Sequence, residues 1–398
     1  MSDSRNQPAD AEPGRQKSRR KLIPLLAGSV FPVLFASVLV LMGVGGEECV
    51  SISSTGKKGN GASVHPCISA DGRFVAFSSR ASNLVPGDTN GYEDVFVHDR
   101  RTGRTERVSV SSEGLQADYH SNWPSMNADG RFVMFYCGSV NLVPGEKYPA
   151  EDGMLICDRW SGTVQRPSFF YRLGIEPFSY SRPVSEESMT ADGRFWAHVS
   201  DFSRGVVGNT NRVADVFVYD RQTKLTERVS VSSEGLQADD ASGGPSISAD
   251  GRFVAFHSLA SNLVPGDRTG EMDVFVRDRH TGVTERVSVA PDGSGGNQAS
   301  GSPSISADGR FVAFHSRASN LVPGDTNGSY DVFVYDRQAG RTERLTGRTG
   351  GIDPAISADG RFVAYVSMPR RRTGLLEKLL GPSNGHSQIY VHDRGPQE

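Results

Sequence analysis

One tetrapeptide, Ala-Asp-Gly-Arg, returns six times along this chain of 398 residues, with its aspartate at 71, 129, 192, 250, 308 and 359. The intervals are 58, 63, 58, 58 and 51 residues. Each copy sits in a longer shared text: P-S-I-S-A-D-G-R-F-V-A-F, then S-N-L-V-P-G-D-T-N-G, then D-V-F-V-x-D-R, then T-E-R-V-S-V-S-S. A repeat of this length that holds four β segments predicts a β-propeller, here of six four-stranded blades.

The physics of one unit supports that count. His65–Ala70 reads as a short strand ended by Asp71-Gly72, a turn pair that tolerates positive φ. Arg73–Ser78 carries Phe-Val-Ala-Phe, apolar on both faces, and so needs cover on both sides. Neighbouring blades supply it. Asp94–His98 is a third strand of the same kind, and Thr105–Val110 alternates as an outermost strand should. The sixth unit stops at Glu398 without a T-E-R-V-S-V segment, whereas Val50–Ser54 repeats the text of Val108–Ser112. The expectation is an all-β ring spanning 50–394, closed by an N-terminal strand that completes the last blade and hides both edges.

Ahead of the ring, residues 1–21 read as a disordered tail ending in the basic cluster Ser18-Arg19-Arg20-Lys21. Residues 22–46 run without a charge. That is long enough for a transmembrane anchor or an uncleaved export signal, with the N-terminus cytoplasmic. The double arginine also fits a twin-arginine signal. Either way the propeller is expected outside the cytoplasm: tethered to the cell membrane, or periplasmic or secreted if the segment is cleaved. Net charge is −3 with both signs interspersed, which argues against a nucleic-acid partner. The cysteines Cys49, Cys67, Cys137 and Cys157 form no C-x-x-C pair. Hairpin register puts Cys137 opposite Gly153, out of disulfide reach of Cys157, so free thiols are expected.

The shared text S-A-D-G-R-F-V-A-F followed by D-V-F-V-x-D-R resembles the WD-like propeller repeats of TolB-type bacterial periplasmic proteins. The resemblance covers nearly all of 50–394 and implies the propeller fold and an extracytoplasmic place. TolB itself carries a small α/β domain before its propeller, for which residues 1–49 leave no room, so TolB's partners do not carry over.

No G-x-S-x-G elbow and no H-E-x-x-H occurs, and the repeated aspartates read as turn formers and not as catalytic acids. The expectation is therefore a non-catalytic module that binds another protein or a cell-envelope component. The competing classes are a hydrolase or lyase with its site in the central funnel, and a small-ligand sensor. An enzyme would show non-repeated Asp, Glu, His or Tyr facing the axis at one channel mouth. No cofactor is expected except calcium, for which Asp88, Asn90 and Asp94, and Asp325, Asn327 and Asp331, offer oxygen donors on Gly-containing turns. His257 and His315 share one repeat position, and His98 and His392 another; both read as ordinary hydrogen-bonded histidines. Two segments break the symmetry: the aromatic run Arg166–Tyr171 with Phe178–Tyr180, and the basic turn Arg370, Arg371, Arg372 leading into an amphipathic stretch to Leu380. Long loops lie on one face of the disc and short turns on the other. Partner contact is expected on the long-loop face, around Asn83–Tyr92, Gly114–His120 and Arg370–Arg372.

Overall fold

The computed structural model describes residues 46–143, 153–166, 188–190, 192–200, 210–211, 213–267, 270–347, 350–368 and 385–397. The N-terminal segment 1–45, most of the aromatic run after Arg166, and Arg370–Leu380 lie outside them. Among the described residues no helix is long and apolar enough to cross a membrane.

Twenty-four strands form six separate four-stranded antiparallel sheets. After β1 (Glu47–Cys49), blade 1 is β2 (Ser63–Ile68), β3 (Phe74–Ser79), β4 (Asp94–Asp99) and β5 (Arg104–Arg107). Blade 2 is β6 (Ser121–Met126), β7 (Phe132–Cys137), β8 (Met154–Asp158) and β9 (Thr163–Gln165). Blade 3 is β10 (Ser188–Met189), β11 (Phe195–Ser200), β12 (Asp215–Asp220) and β13 (Leu225–Arg228). Blade 4 is β14 (Ser242–Ile247), β15 (Phe253–Ser258), β16 (Asp273–Asp278) and β17 (Val283–Arg286). Blade 5 is β18 (Ser300–Ile305), β19 (Phe311–Ser316), β20 (Asp331–Asp336) and β21 (Arg341–Arg344). Blade 6 is β22 (Gly351–Ile356), β23 (Phe362–Ser367) and β24 (Gln388–Asp393), with β1 as its fourth strand.

The ring is closed as the repeat text requires, but by different residues. Glu47, Glu48 and Cys49 pair with His392, Val391 and Tyr390, so the closing strand precedes Val50–Ser54. The same correction applies in blades 1, 3, 4 and 5: the outer strand ends with T-E-R, and the text after it leaves the sheet. Val108 makes one last bond to Val95, and the chain then folds into a loop pinned by the Val110–Gln116 bridge. Ile52 and Lys58 form the corresponding bridge after β1.

The doubly apolar strands are covered as expected. Val75, Ala76, Phe77, Val95, Phe96 and Val97 are fully buried, and Phe77 stacks on Phe96 with centroids 6.0 Å apart. Phe256–Phe275 and Phe314–Phe333 repeat that pair at 5.8 and 5.9 Å. Cys137 pairs with Gly153 through a backbone bond, and all four cysteines are free.

The Asp-Gly-Arg turn does more than turn. Asp71 accepts from the Ser69 hydroxyl and the Arg73 amide, as a turn former should. Arg73 then clamps Asp99 of its own blade with two bonds, 2.9 and 2.7 Å, and holds that carboxyl well below the usual range. The next residue, Arg100, donates to the Gly72 carbonyl and crosses to blade 6, meeting Glu48 at 2.8 Å and covering the Phe362 ring. Arg159–Glu106, Arg279–Glu227, Arg337–Glu285 and Arg394–Glu343 repeat the crossing at four more joints. The Asp-Arg pair thus has two roles: Asp99 accepts from the Arg101 amide at 3.0 Å, as a turn former should, and Arg100 adds an inter-blade joint. Blades 2 and 3 meet differently. Gln165 stands at the register of Glu106, and Phe132 is 37% exposed, whereas Phe311 at its counterpart is buried.

Candidate functional site: the axial mouth

The inner strands β10, β14, β18, β22, β2 and β6 pack in that succession around the axis. Five of them are interrupted at one register by a bulge ahead of a proline: His65-Pro66, Trp123-Pro124, Gly244-Pro245, Ser302-Pro303 and Asp353-Pro354. Proline cannot donate to a ladder, and here it sits in a bulge of a strand at the edge of its sheet, both places that accommodate it. The residue before it takes positive φ: 53° at His65, 48° at Trp123, 58° at Gly244, 48° at Ser302 and 50° at Asp353. Only glycine occupies that region without strain, as Gly244 does. Four side chains are thus held at a cost of about 1–2 kcal/mol each, on a register where glycine would be free of it. The surrounding text repeats from blade to blade, and these residues do not.

Their side chains meet. Trp123 Nε1 donates to His65 Nε2 at 2.7 Å, with the rings edge to face at 5.4 Å. That places the His65 ring proton on Nδ1, a buried atom with no hydrogen-bond partner among the described residues. The Trp123 amide donates to the Ser78 hydroxyl at 3.1 Å. On the other side of blade 6, the Asp353 amide donates to His315 Nδ1 at 3.3 Å and the Asp353 carboxylate lies 3.8 Å from it. The Ser302 hydroxyl donates to the same carboxylate at 3.3 Å. Burial lowers the His65 pKa, and the Asp353 charge draws it partly back. His315 is pushed down to about 4 by burial and by neighbouring His257. Among the described residues the Asp353 carboxylate therefore stands at neutral pH beside the neutral imidazoles of His65 and His315, an arrangement able to bind polar ligands or exchange a proton.

The bulges interrupt the inner strands midway, but their partners Ser78 and His315 are the penultimate residues of β3 and β19, where the chain enters a long loop, so these contacts belong to the long-loop side of the disc. Contact was expected on that face, but around Asn83–Tyr92, Gly114–His120 and Arg370–Arg372. His257 and His315, read as ordinary, belong to this arc. His98 is ordinary: buried, with Nδ1 2.8 Å from the Thr105 hydroxyl.

The calcium candidates are brought together, but around an arginine. Arg107 lies 3.1 Å from Asp88 and 3.1 Å from Asp94, and Asn90 turns its amide nitrogen to Asp94 at 3.0 Å. Ser109 donates to the other Asp94 oxygen. In the second loop Arg344 lies 3.3 Å from Asp325 and 2.8 Å from Asp331, with Asn327 and Thr346 donating to Asp331. Arg286 repeats the arrangement with Asp267 and Asp273 at 3.2 Å each. A guanidinium thus stands where the turn chemistry suggested calcium. Among the described residues no group of three or more His, Cys, Asp or Glu side chains is arranged to hold a metal ion. Arg370, Arg371 and Arg372 lie outside the described residues.

No protein-family model and no curated protein sequence matches the chain. Solved structures do. TolB from Acinetobacter baumannii is 16% identical, with a TM-score of 0.44 over 85% of this chain, and the chain spans 65% of that protein's length. A putative TolB from Agrobacterium tumefaciens is 16% identical, with a TM-score of 0.45, covering 84% of this chain and 90% of that one. An oligogalacturonate lyase from Vibrio parahaemolyticus is 11% identical, with a TM-score of 0.46, covering 88% and 98%. The six-bladed β-propeller itself is shown by the six four-stranded sheets of this chain.

Proposed function

We propose that this protein is an extracytoplasmic binding propeller that takes its ligand at the axial mouth on the long-loop face. The observation that carries the reading is the convergence of non-repeated side chains on strained bulges at one level of the axis. The charge-free stretch at 22–46 supports the location. The partner is a cell-envelope component or another protein, and Arg370, Arg371 and Arg372, which follow β23 in sequence, extend the contact. The test is native mass spectrometry of the full-length chain incubated with a small-molecule extract of cell envelopes. Species retained by the wild type are lost in Trp123→Ala and Asp353→Asn. Equal retention in both variants sinks the axial reading.

One observation favours a second reading, a lyase or hydrolase working in the same mouth. Asp353 stands against His315 and within electrostatic reach of His65, a set with acid–base capacity. The same experiment separates the two: a binding module returns its ligand unchanged, whereas an enzyme converts it and stops doing so in Asp353→Asn.

A further inference from the structure

The arginines of the repeat are matched to carboxylates. Those like Arg73 clamp the Asp99 position, those like Arg100 cross to an outer-strand Glu in five joints, and those like Arg107 sit between loop aspartates. Arg317 stands outside that scheme. It follows β19 on the long-loop side, at the register where other copies carry Arg80, Gly138, Leu259 and Met368. Its side chain is exposed, and it makes no ion pair with any described carboxylate. Its guanidinium lies over the Tyr330 ring, 5.5 Å from the centroid. Tyr330 breaks the repeat as well, standing where other copies have Glu93, Ala214 and Met272. Its ring meets His315 edge to face at 5.2 Å, and His315 leads on to Asp353 and Ser302. Arg80, the other guanidinium at this register, is already turned to Glu93 at 3.6 Å.

We propose that the mouth takes a small anionic ligand whose two-oxygen group is read by Arg317 at the rim and whose far end donates a hydrogen bond to Asp353. This rests on the axial reading above. A guanidinium laid on an aromatic face keeps its N–H edge free for a planar carboxylate. Stacking also removes part of the rotamer freedom that binding would otherwise have to remove. The Asp353 carboxylate repels an anion from the deeper arc and accepts from a hydroxyl or amine there. The two groups together therefore fix which way round the ligand sits.

Three probes of similar shape test this on the full-length chain by isothermal titration: 4-hydroxybenzoate, 4-hydroxybenzamide and benzoate. The first carries both the anion and the donor, and the others lack one each. 4-Hydroxybenzoate binds most tightly and weakens with added salt. Arg317→Gln weakens it about tenfold while leaving 4-hydroxybenzamide unchanged. The variant melts with the wild type, because the side chain is exposed. Equal binding of the amide, indifference to Arg317→Gln, or no saturable binding of any probe overturns the proposal. If 4-hydroxybenzoate ignores Arg317→Gln but is lost in Trp123→Ala, the axial site stands and the anion class falls. If it ignores both variants, binding is elsewhere and both readings fall.

Discussion

Replacing Gly130 with alanine adds one methyl group to the joint between blades 1 and 2. Gly130 has φ +71°, and a Cβ there would come 2.5 Å from Phe74 Cδ2 and 2.9 Å from its Cγ. Phe74 is poorly placed to retreat, with the guanidinium groups of Arg73 and Arg159 both 4.4 Å from its ring centroid. The left-handed backbone costs an alanine about 1 kcal/mol, and overpacking against a confined ring adds about 2 kcal/mol. Gly103 supplies the control: φ is +70° and nothing lies within 4 Å, so Gly103→Ala isolates the backbone cost of about 1 kcal/mol. Gly193, at the joint between blades 2 and 3, has φ +68°, and a Cβ there would meet only the flexible ends of Arg221 and Met189 at 3.2 and 3.8 Å. It should behave like Gly103. Urea denaturation of the three variants, with m-values checked against the wild type, gives the comparison. If Gly130→Ala costs no more than Gly103→Ala, the glycine is there for its backbone alone and the joint has been misread. If Gly193→Ala matches Gly130→Ala, blades 2 and 3 are not joined differently.

Two further outcomes follow from charges described above. Arg107→Met leaves Asp88 and Asp94 buried without their counter-ion and destabilises the propeller by about 3 kcal/mol, whereas a chelator leaves the wild-type melting curve unchanged; a fall on chelation would return calcium to the loop. Burial pushes His198 and His315 down to about 4, so the unfolded chain takes up their protons first and stability is lost as pH falls from about 6.5 toward 4, by up to about 3 kcal/mol each. Asp273, raised to about 6 by burial, works the other way over part of that window, and two histidines outweigh it. Urea midpoints that coincide at pH 7 and pH 5 would contradict this balance.

The blade count and the order of strands were legible because the same text recurs six times and the apolar runs demand cover on both faces. The strand ends were less so. V-S-V-S-S alternates like a strand, but its hydrogen bonds go to Val95 and then within its own loop, and nothing in the alternation distinguishes these choices. The role of Arg100 was hidden for another reason. Its partner Glu48 lies in a neighbouring blade, 52 positions away, and no local pattern marks such a contact. The axial arc did leave a signal. The residue before the inner-strand proline is His65, Trp123, Gly244, Ser302 or Asp353 beside an otherwise repeated text. The turn chemistry of the aspartates drew attention to positions that repeat, whereas the mouth is built from those that differ. In the acidic loops an arginine and a calcium ion satisfy the same oxygens, and turn chemistry alone does not distinguish them.

The clasp between β1 and β24 also orders events in time. Every other strand pairing among the described residues joins neighbours in sequence and can form as soon as a hairpin leaves the ribosome. Glu47–Cys49 must wait for Tyr390–His392, the last strand of the ring to be made. Joining ends so far apart adds little to the equilibrium cost, which grows only with the logarithm of loop length, but it places the closing contact last in the folding sequence. Until then the growing protein is an open arc whose two end blades expose strand edges. An interruption of synthesis just short of Tyr390 leaves a species with most blades built and the edges bare, the form most exposed to association with its own copies.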